Sequence, residues 1–191
     1  MTGIIRPGAT IGILGGGQLG RMTAMAARTL GYNVHILDPD ANCAASAVAD
    51  RVVAARFDDA DAASDLARHC DVVTLEIEQI SPAALDAAAK HVPLRPSKAI
   101  VAVVQDRARQ KRWLANHDLP LGAYREVGSV DDLFVAFDAL GPLFVKARHV
   151  ATTAGARYAC RSAPTCRRHG TPSPGAARSP NRPWIWSSSS P

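Results

Sequence analysis

Long apolar stretches are missing from this 191-residue chain, although 47% of it is hydrophobic. No run reaches the roughly 18 to 20 residues that would cross a bilayer, and Met1–Pro7 has neither the charged nor the apolar region of a secretory leader. This predicts a soluble, cytoplasmic protein with no membrane partner. Cysteine is scarce too, and Cys43, Cys70, Cys160 and Cys166 form no C-x-x-C pair, so neither a disulfide framework nor a zinc site is predicted. His35, His69, His91 and His117 share no ligand spacing, and no metal is assigned to this part of the chain. Acidic residues are absent from the last part. Residues 1–149 carry 16 Lys and Arg against all 17 acids, whereas 150–191 hold six Arg and no acid. The net charge of +5 therefore belongs to a tail, which argues against a specific nucleic-acid partner for the fold. That tail is rich in Ala, Arg, Ser, Thr and Pro, lacks periodicity and is expected to be disordered, with its apolar cluster Trp184-Ile185-Trp186 exposed.

Before the tail, short apolar runs alternate with Ala-rich stretches, the pattern of an α/β domain with a largely parallel sheet. Strands are predicted at Thr10–Leu14, Asn33–Leu37, Arg51–Ala55 and Asp71–Leu75. Helices are predicted at Leu19–Leu30, Asn42–Val48, Ala60–His69 and Ser81–Lys90, the last with Pro82 in its first turn, where a missing N–H costs little. This gives a first domain over 1–96. Residues 97–149 read as linker helices across Ser97–His117, then strand, helix and strand at Ala123–Val127, Asp131–Leu140 and Leu143–Lys146, the start of a second domain.

The first strand runs into Gly15-Gly16-Gly17-Gln18-Leu19-Gly20, which fits G-x-G-x-x-G at the start of a helix. Glycines let the backbone turn tightly and approach a ligand, and the helix start favours an anion. Asp38 follows about twenty residues on, where dinucleotide-binding folds place the acid that bonds a ribose hydroxyl. One reading is an NAD-dependent oxidoreductase or NAD-sensing module. Another is that the glycines only let helix and strand pack closely and that Asp38, before Pro39, caps a turn.

More of the chain fits a different pattern. GGGQLGR over Gly15–Arg21, the Leu37-Asp38-Pro39 turn, Thr74-Leu75-Glu76-Ile77-Glu78, Gln105-Asp106-Arg107 with Lys111, Leu119-Pro120 and Phe144-Val145-Lys146 occur in a fixed order. As an ordered set they resemble the N5-carboxyaminoimidazole ribonucleotide synthetases, ATP-grasp ligases of purine biosynthesis. The resemblance implies a Rossmann-like pre-ATP-grasp domain that binds no dinucleotide, followed by the start of an ATP-grasp domain. It implies that Gly16, Gly17, Gln18, Leu19 and Glu76 face the aminoimidazole ribonucleotide, with Glu78 nearby, and that Arg107 and Lys146 contact ATP. It further implies ATP with Mg2+ as cofactors, bicarbonate as co-substrate, and a homodimer in the intact family.

After Lys146 the family continues with a glycine-rich phosphate loop, where this chain has Val-Ala-Thr-Thr. Yet Val150–Ala159 can be encoded so that the bases read from the third position onward give Gly-Tyr-Asp-Gly-Arg-Gly-Gln-Val-Arg. One lost base after His149 would explain the missing loop and the acid-free, Arg- and Pro-biased tail together. Residues 150–191 are thus expected to be frameshifted, and the chain as translated to be inactive, with no catalytic residue assigned.

Overall fold

The computed structural model describes residues 4–148, 157–160 and 184–187. Within the chain, contacts separate two compact units, 1–102 and 103–191. The first holds a sheet of four parallel strands, β1 (Thr10–Leu14), β2 (Asn33–Asp38), β3 (Arg51–Ala54) and β4 (Val72–Leu75), in the order β3-β2-β1-β4. Helices α1 (Gln18–Thr29), α2 (Ala60–Arg68) and α3 (Pro82–Ala89) connect or follow these strands.

Side chains of a strand alternate between faces, and two cores result. Ile13, Val34 and Ile36 pack with Ala24 and Ala27 of α1, while Leu14, Leu37 and Val73 pack with α2 and α3 through Leu66, Ala67 and Leu85. Every one of these strand residues is at most 1% exposed, and full burial of such a side chain stabilises by roughly 1.5–3 kcal/mol. Asp59 caps α2 by accepting from the Ala62 amide, and Ser81 caps α3 by accepting from that of Ala84, with Pro82 at the first position. The N-terminus of α1 differs: its cap is Gly17, with no side-chain hydrogen bond and no acid in the first turn.

A helix was expected over Asn42–Val48, and the structure corrects this. Only a 3-10 turn forms, at Ser46–Val48. Asp38 and Asp40 side chains accept from the amides of Asp40 and Asn42, and Ala45 N–H donates to Gly16 O, so local turns and a tether to the glycine loop take the bonds a helix would need.

The span Ser97–His117 is two helices, α4 (Lys98–Val104) and α5 (Arg107–Asn116), interrupted at Gln105-Asp106. The second unit then adds β5 (Tyr124–Val127), α6 (Val130–Leu140) and β6 (Leu143–Ala147), packed through Val127, Leu133, Ala136, Leu143 and Val145. Two stretches of the tail, expected to lack structure, are strands: β7 (Arg157–Cys160) and β8 (Trp184–Ser187). β8 lies antiparallel between β5 and β6, and β7 extends the far side of β6, giving the order β5-β8-β6-β7. Open strand edges recruit any segment able to extend, and the β-branched and aromatic run Trp-Ile-Trp suits that role. The remainder of 150–191, including Cys166 and the segment replacing the phosphate loop, lies outside the described residues. Among the described residues no helix is long and apolar enough to cross a membrane.

Candidate functional site

In the first unit the chain turns from β1 into α1 through Gly15, whose φ of +105° lies in the region that side chains rarely adopt. Gly20 is required for a different reason: a Cβ there would stand 2.5 Å from the Gly15 carbonyl oxygen, so α1 could not approach the turn. Gly16 is enclosed by Cys43 and by Ile36, which a Cβ would approach to 2.9 Å in the latter case.

Two carboxylates meet this turn. Asp38, at the end of β2, points inward: its Oδ2 accepts from the Gly16 amide at 2.8 Å and its Oδ1 from the Asp40 amide at 2.9 Å. These two bonds agree with the reading of Asp38 as a turn cap before Pro39. Glu76 arrives from the other neighbour of β1. The strand ends at Leu75, as the sequence predicts, so Glu76 and Glu78 lie just beyond it. The Glu76 amide donates to Leu14 O at 2.9 Å, and its carboxylate folds over the glycines, where a Cβ on Gly15 would stand 2.6 Å from its Oε2 and one on Gly17 3.0 Å from its Oε1. Burial raises its pKa, and the charges of Asp38 and Glu78 push the same way, against the lowering by the Gly17 amide. Gly16, Gly17 and Glu76 are therefore brought together, with Gln18 and Leu19 following in the first turn of α1; Leu19 is 61% exposed.

The second unit places Arg107 at the first position of α5 and Lys146 near the end of β6. What fixes the two elements there was not singled out in the sequence. Asp106, 7% exposed, caps α5 by accepting from the amides of Ala108 and Arg109 at 2.9 and 3.1 Å. The same carboxylate accepts from Arg148 Nε at 2.9 Å and pairs with its terminal nitrogen at 2.7 Å, while the Arg107 amide donates to Arg148 O. Burial alone would raise the Asp106 pKa; the Arg148 hydrogen bond and charge, with the two amides, outweigh it and hold the group at about 2. Lys111, one turn into α5, has its pKa lowered by burial and by the charge of Arg107, and its ammonium lies 5.5 Å above the Tyr124 ring. In the sequence Asp106 stands out only as the middle residue of Gln105-Asp106-Arg107; its partner lies 42 residues away.

A parallel sheet with a glycine turn and an inward acid defines a class. The family description "Ribonucleotide synthetase preATP-grasp domain" matches residues 8–105. The N5-carboxyaminoimidazole ribonucleotide synthase of Brucella melitensis is 42% identical over 137 residues, covering 72% of this chain and 38% of that protein. Its counterpart from Staphylococcus saprophyticus is 37% identical over 142 residues, covering 74% and 38%. Among solved structures, the ADP complex of purK, N5-carboxyaminoimidazole ribonucleotide synthetase, superposes with a TM-score of 0.84 at 33% identity, covering 100% of this chain and 49% of that one. The Aspergillus clavatus synthase in complex with ADP and 5-aminoimidazole ribonucleotide gives a TM-score of 0.76 at 29% identity, covering 94% and 46%. The chain belongs to the N5-carboxyaminoimidazole ribonucleotide synthetase family, within the ribonucleotide synthetase pre-ATP-grasp group. It spans 38% of the length of the two bacterial relatives.

Proposed function

We propose that this chain is the N-terminal part of an ATP-dependent ligase that carboxylates 5-aminoimidazole ribonucleotide with bicarbonate in purine biosynthesis. The observation that carries the reading is the match of this fold to a synthase solved with both ADP and 5-aminoimidazole ribonucleotide. Residues 1–96 form the substrate-side domain, in which Gly16, Gly17, Gln18, Leu19 and Glu76 face the ribonucleotide. Residues 97–149 begin the ATP-grasp domain, with Arg107 and Lys146 directed at ATP. A guanidinium offers a fixed fork of donors to phosphate oxygens and an ammonium a mobile point charge, so together they suit a polyphosphate. Asp106 serves them by clamping α5 to the end of β6.

ATP brings Mg2+ in such enzymes, where the ion neutralises phosphate charge. Among the described residues no group of three or more His, Cys, Asp or Glu could hold a metal ion. The intact enzyme is proposed to be cytoplasmic and a homodimer. Residues 150–191 are proposed to be translated out of frame, leaving the chain without the loop that closes on the phosphates and without activity. Inserting a single G after the His149 codon should restore Gly-Gly-Tyr-Asp-Gly-Arg-Gly-Gln. Bicarbonate-stimulated, aminoimidazole-ribonucleotide-dependent ADP release should then appear in the repaired protein and not in the chain as it stands. Turnover by the unrepaired chain, or early stop codons in the restored frame, would defeat the proposal.

A further inference from the structure

Between α3 and α4 the chain lines a cavity of about 430 Å3 in the first unit, within the size range of small-molecule sites. None of the residues assigned to the ribonucleotide or to ATP lies in its wall. Its floor is apolar and fixed to the sheet. Leu94 is 5% exposed and Val92 and Pro93 are half-buried, while the Val73 amide of β4 donates to Pro93 O at 3.0 Å and the Arg95 amide donates to Val73 O at 2.9 Å. Those bonds turn Val92, Leu94 and Pro96 outward. The Val92 amide donates to Ala88 O, and Pro96 has no N–H, so this edge cannot add a further strand, and the cavity suits a small ligand. His91 Nε2 lies 2.8 Å from Ser64 Oγ, which ties one wall to α2.

The rim is cationic. Lys90, Arg95 and Lys98 line it, and the sequence has no acid between Asp86 and Asp106. Lys98 is neutralised by Asp86, whose two oxygens accept from its ammonium at 2.5 and 2.6 Å. Among the described residues Lys90 and Arg95 have no carboxylate partner, and residues 150–191 contain no acid that could supply one. Arg95 Nη1 donates to Leu94 O at 3.0 Å, which fixes the side chain at the cavity and leaves other donors of its fork for an oxyanion.

We propose that this cavity binds a small phosphomonoester of the nucleoside monophosphate class, with Arg95 and Lys90 holding the phosphate and the body of the ligand covering Val92 and Pro93. A cation about 4 Å from a unit negative charge strengthens binding roughly fivefold even at the dielectric constant of water. The site holds whichever reaction the complete enzyme carries out.

The test is an amide NMR titration of the full chain with adenosine monophosphate and, separately, adenosine. The nucleotide should shift the Leu94, Arg95 and Ser97 amides saturably, and the nucleoside should not. Arg95→Gln and Lys90→Gln, both at exposed positions, should each weaken the nucleotide at these amides by about fivefold or more. Arg6→Gln, exposed and outside the cavity, should leave it unchanged. Circular dichroism checks that each variant folds, and the two cavity variants test the site independently. The proposal is overturned by a nucleotide response absent from Leu94–Ser97, by adenosine binding equally well, by folded cavity variants that bind as tightly as wild type, or by an equal loss in Arg6→Gln. None of these outcomes touches the ligase reading, which the repaired frame tests.

Discussion

Replacing Asp106 with Asn keeps the shape of the side chain and removes the charge that joins α5 to the end of β6. In the native protein this carboxylate sits at about 2 against an ordinary 3.8, a depression that corresponds to roughly 2 kcal/mol of stability at neutral pH. Breaking a buried ion pair by removing one partner costs about 3–5 kcal/mol, but the Arg148 side chain is 27% exposed and water screens part of the loss. The expected cost of Asp106→Asn is therefore about 2–3 kcal/mol. Urea denaturation followed by tryptophan fluorescence isolates the effect, because all three tryptophans, Trp113, Trp184 and Trp186, lie in the unit 103–191. An acid with a depressed native pKa stabilises above its unfolded value and loses that contribution as pH falls. The advantage of wild type over the variant should be complete above about pH 4 and fade towards about pH 2. Equal midpoints at neutral pH, or a gap that stays constant through that window, would refute the role given to Asp106.

Glu76→Gln should raise the urea midpoint of the first unit at neutral pH, read by far-ultraviolet circular dichroism. A carboxylate whose pKa is raised by burial and by Asp38 and Glu78 destabilises the fold while ionised, so wild type should close the difference as pH falls through the native pKa of Glu76; a lower midpoint for the variant at neutral pH would contradict this. Gly20→Ala should destabilise the first unit by about 1–3 kcal/mol, because its Cβ would meet the backbone oxygen of Gly15, which cannot rotate away as a side chain can. Thermal denaturation of that variant with an unchanged midpoint would show that α1 can shift without cost.

Local chemistry made much of the first unit readable in advance. Strand alternation at Ile13-Leu14 and Ile36-Leu37 dictates two buried faces, the glycine turn marks the strand-to-helix junction, and Ser81-Pro82 sets the start of α3. These features act over a few residues, so the order of residues is sufficient to specify them. Asn42–Val48 shows the limit: its composition suits a helix, yet the Asp38 and Asp40 side chains and the tether to Gly16 hold it in turns.

The sequence by itself determined the alternation of strands and helices, the glycine turn and the identity of the groups available for binding, because periodicity, caps and residue chemistry are local properties. Only the tertiary structure decided what those groups touch. Asp38 faces Gly16 from 22 residues away, Glu76 folds back over Gly17, and Asp106 meets Arg148 from 42 residues away. It also gave the segments Arg157–Cys160 and Trp184–Ser187 their places beside β6. The physical reason is common to all of these. A hydrogen bond or ion pair between residues distant in the chain exists only once packing has brought them together, and the partner a polar group then finds determines its charge and its direction.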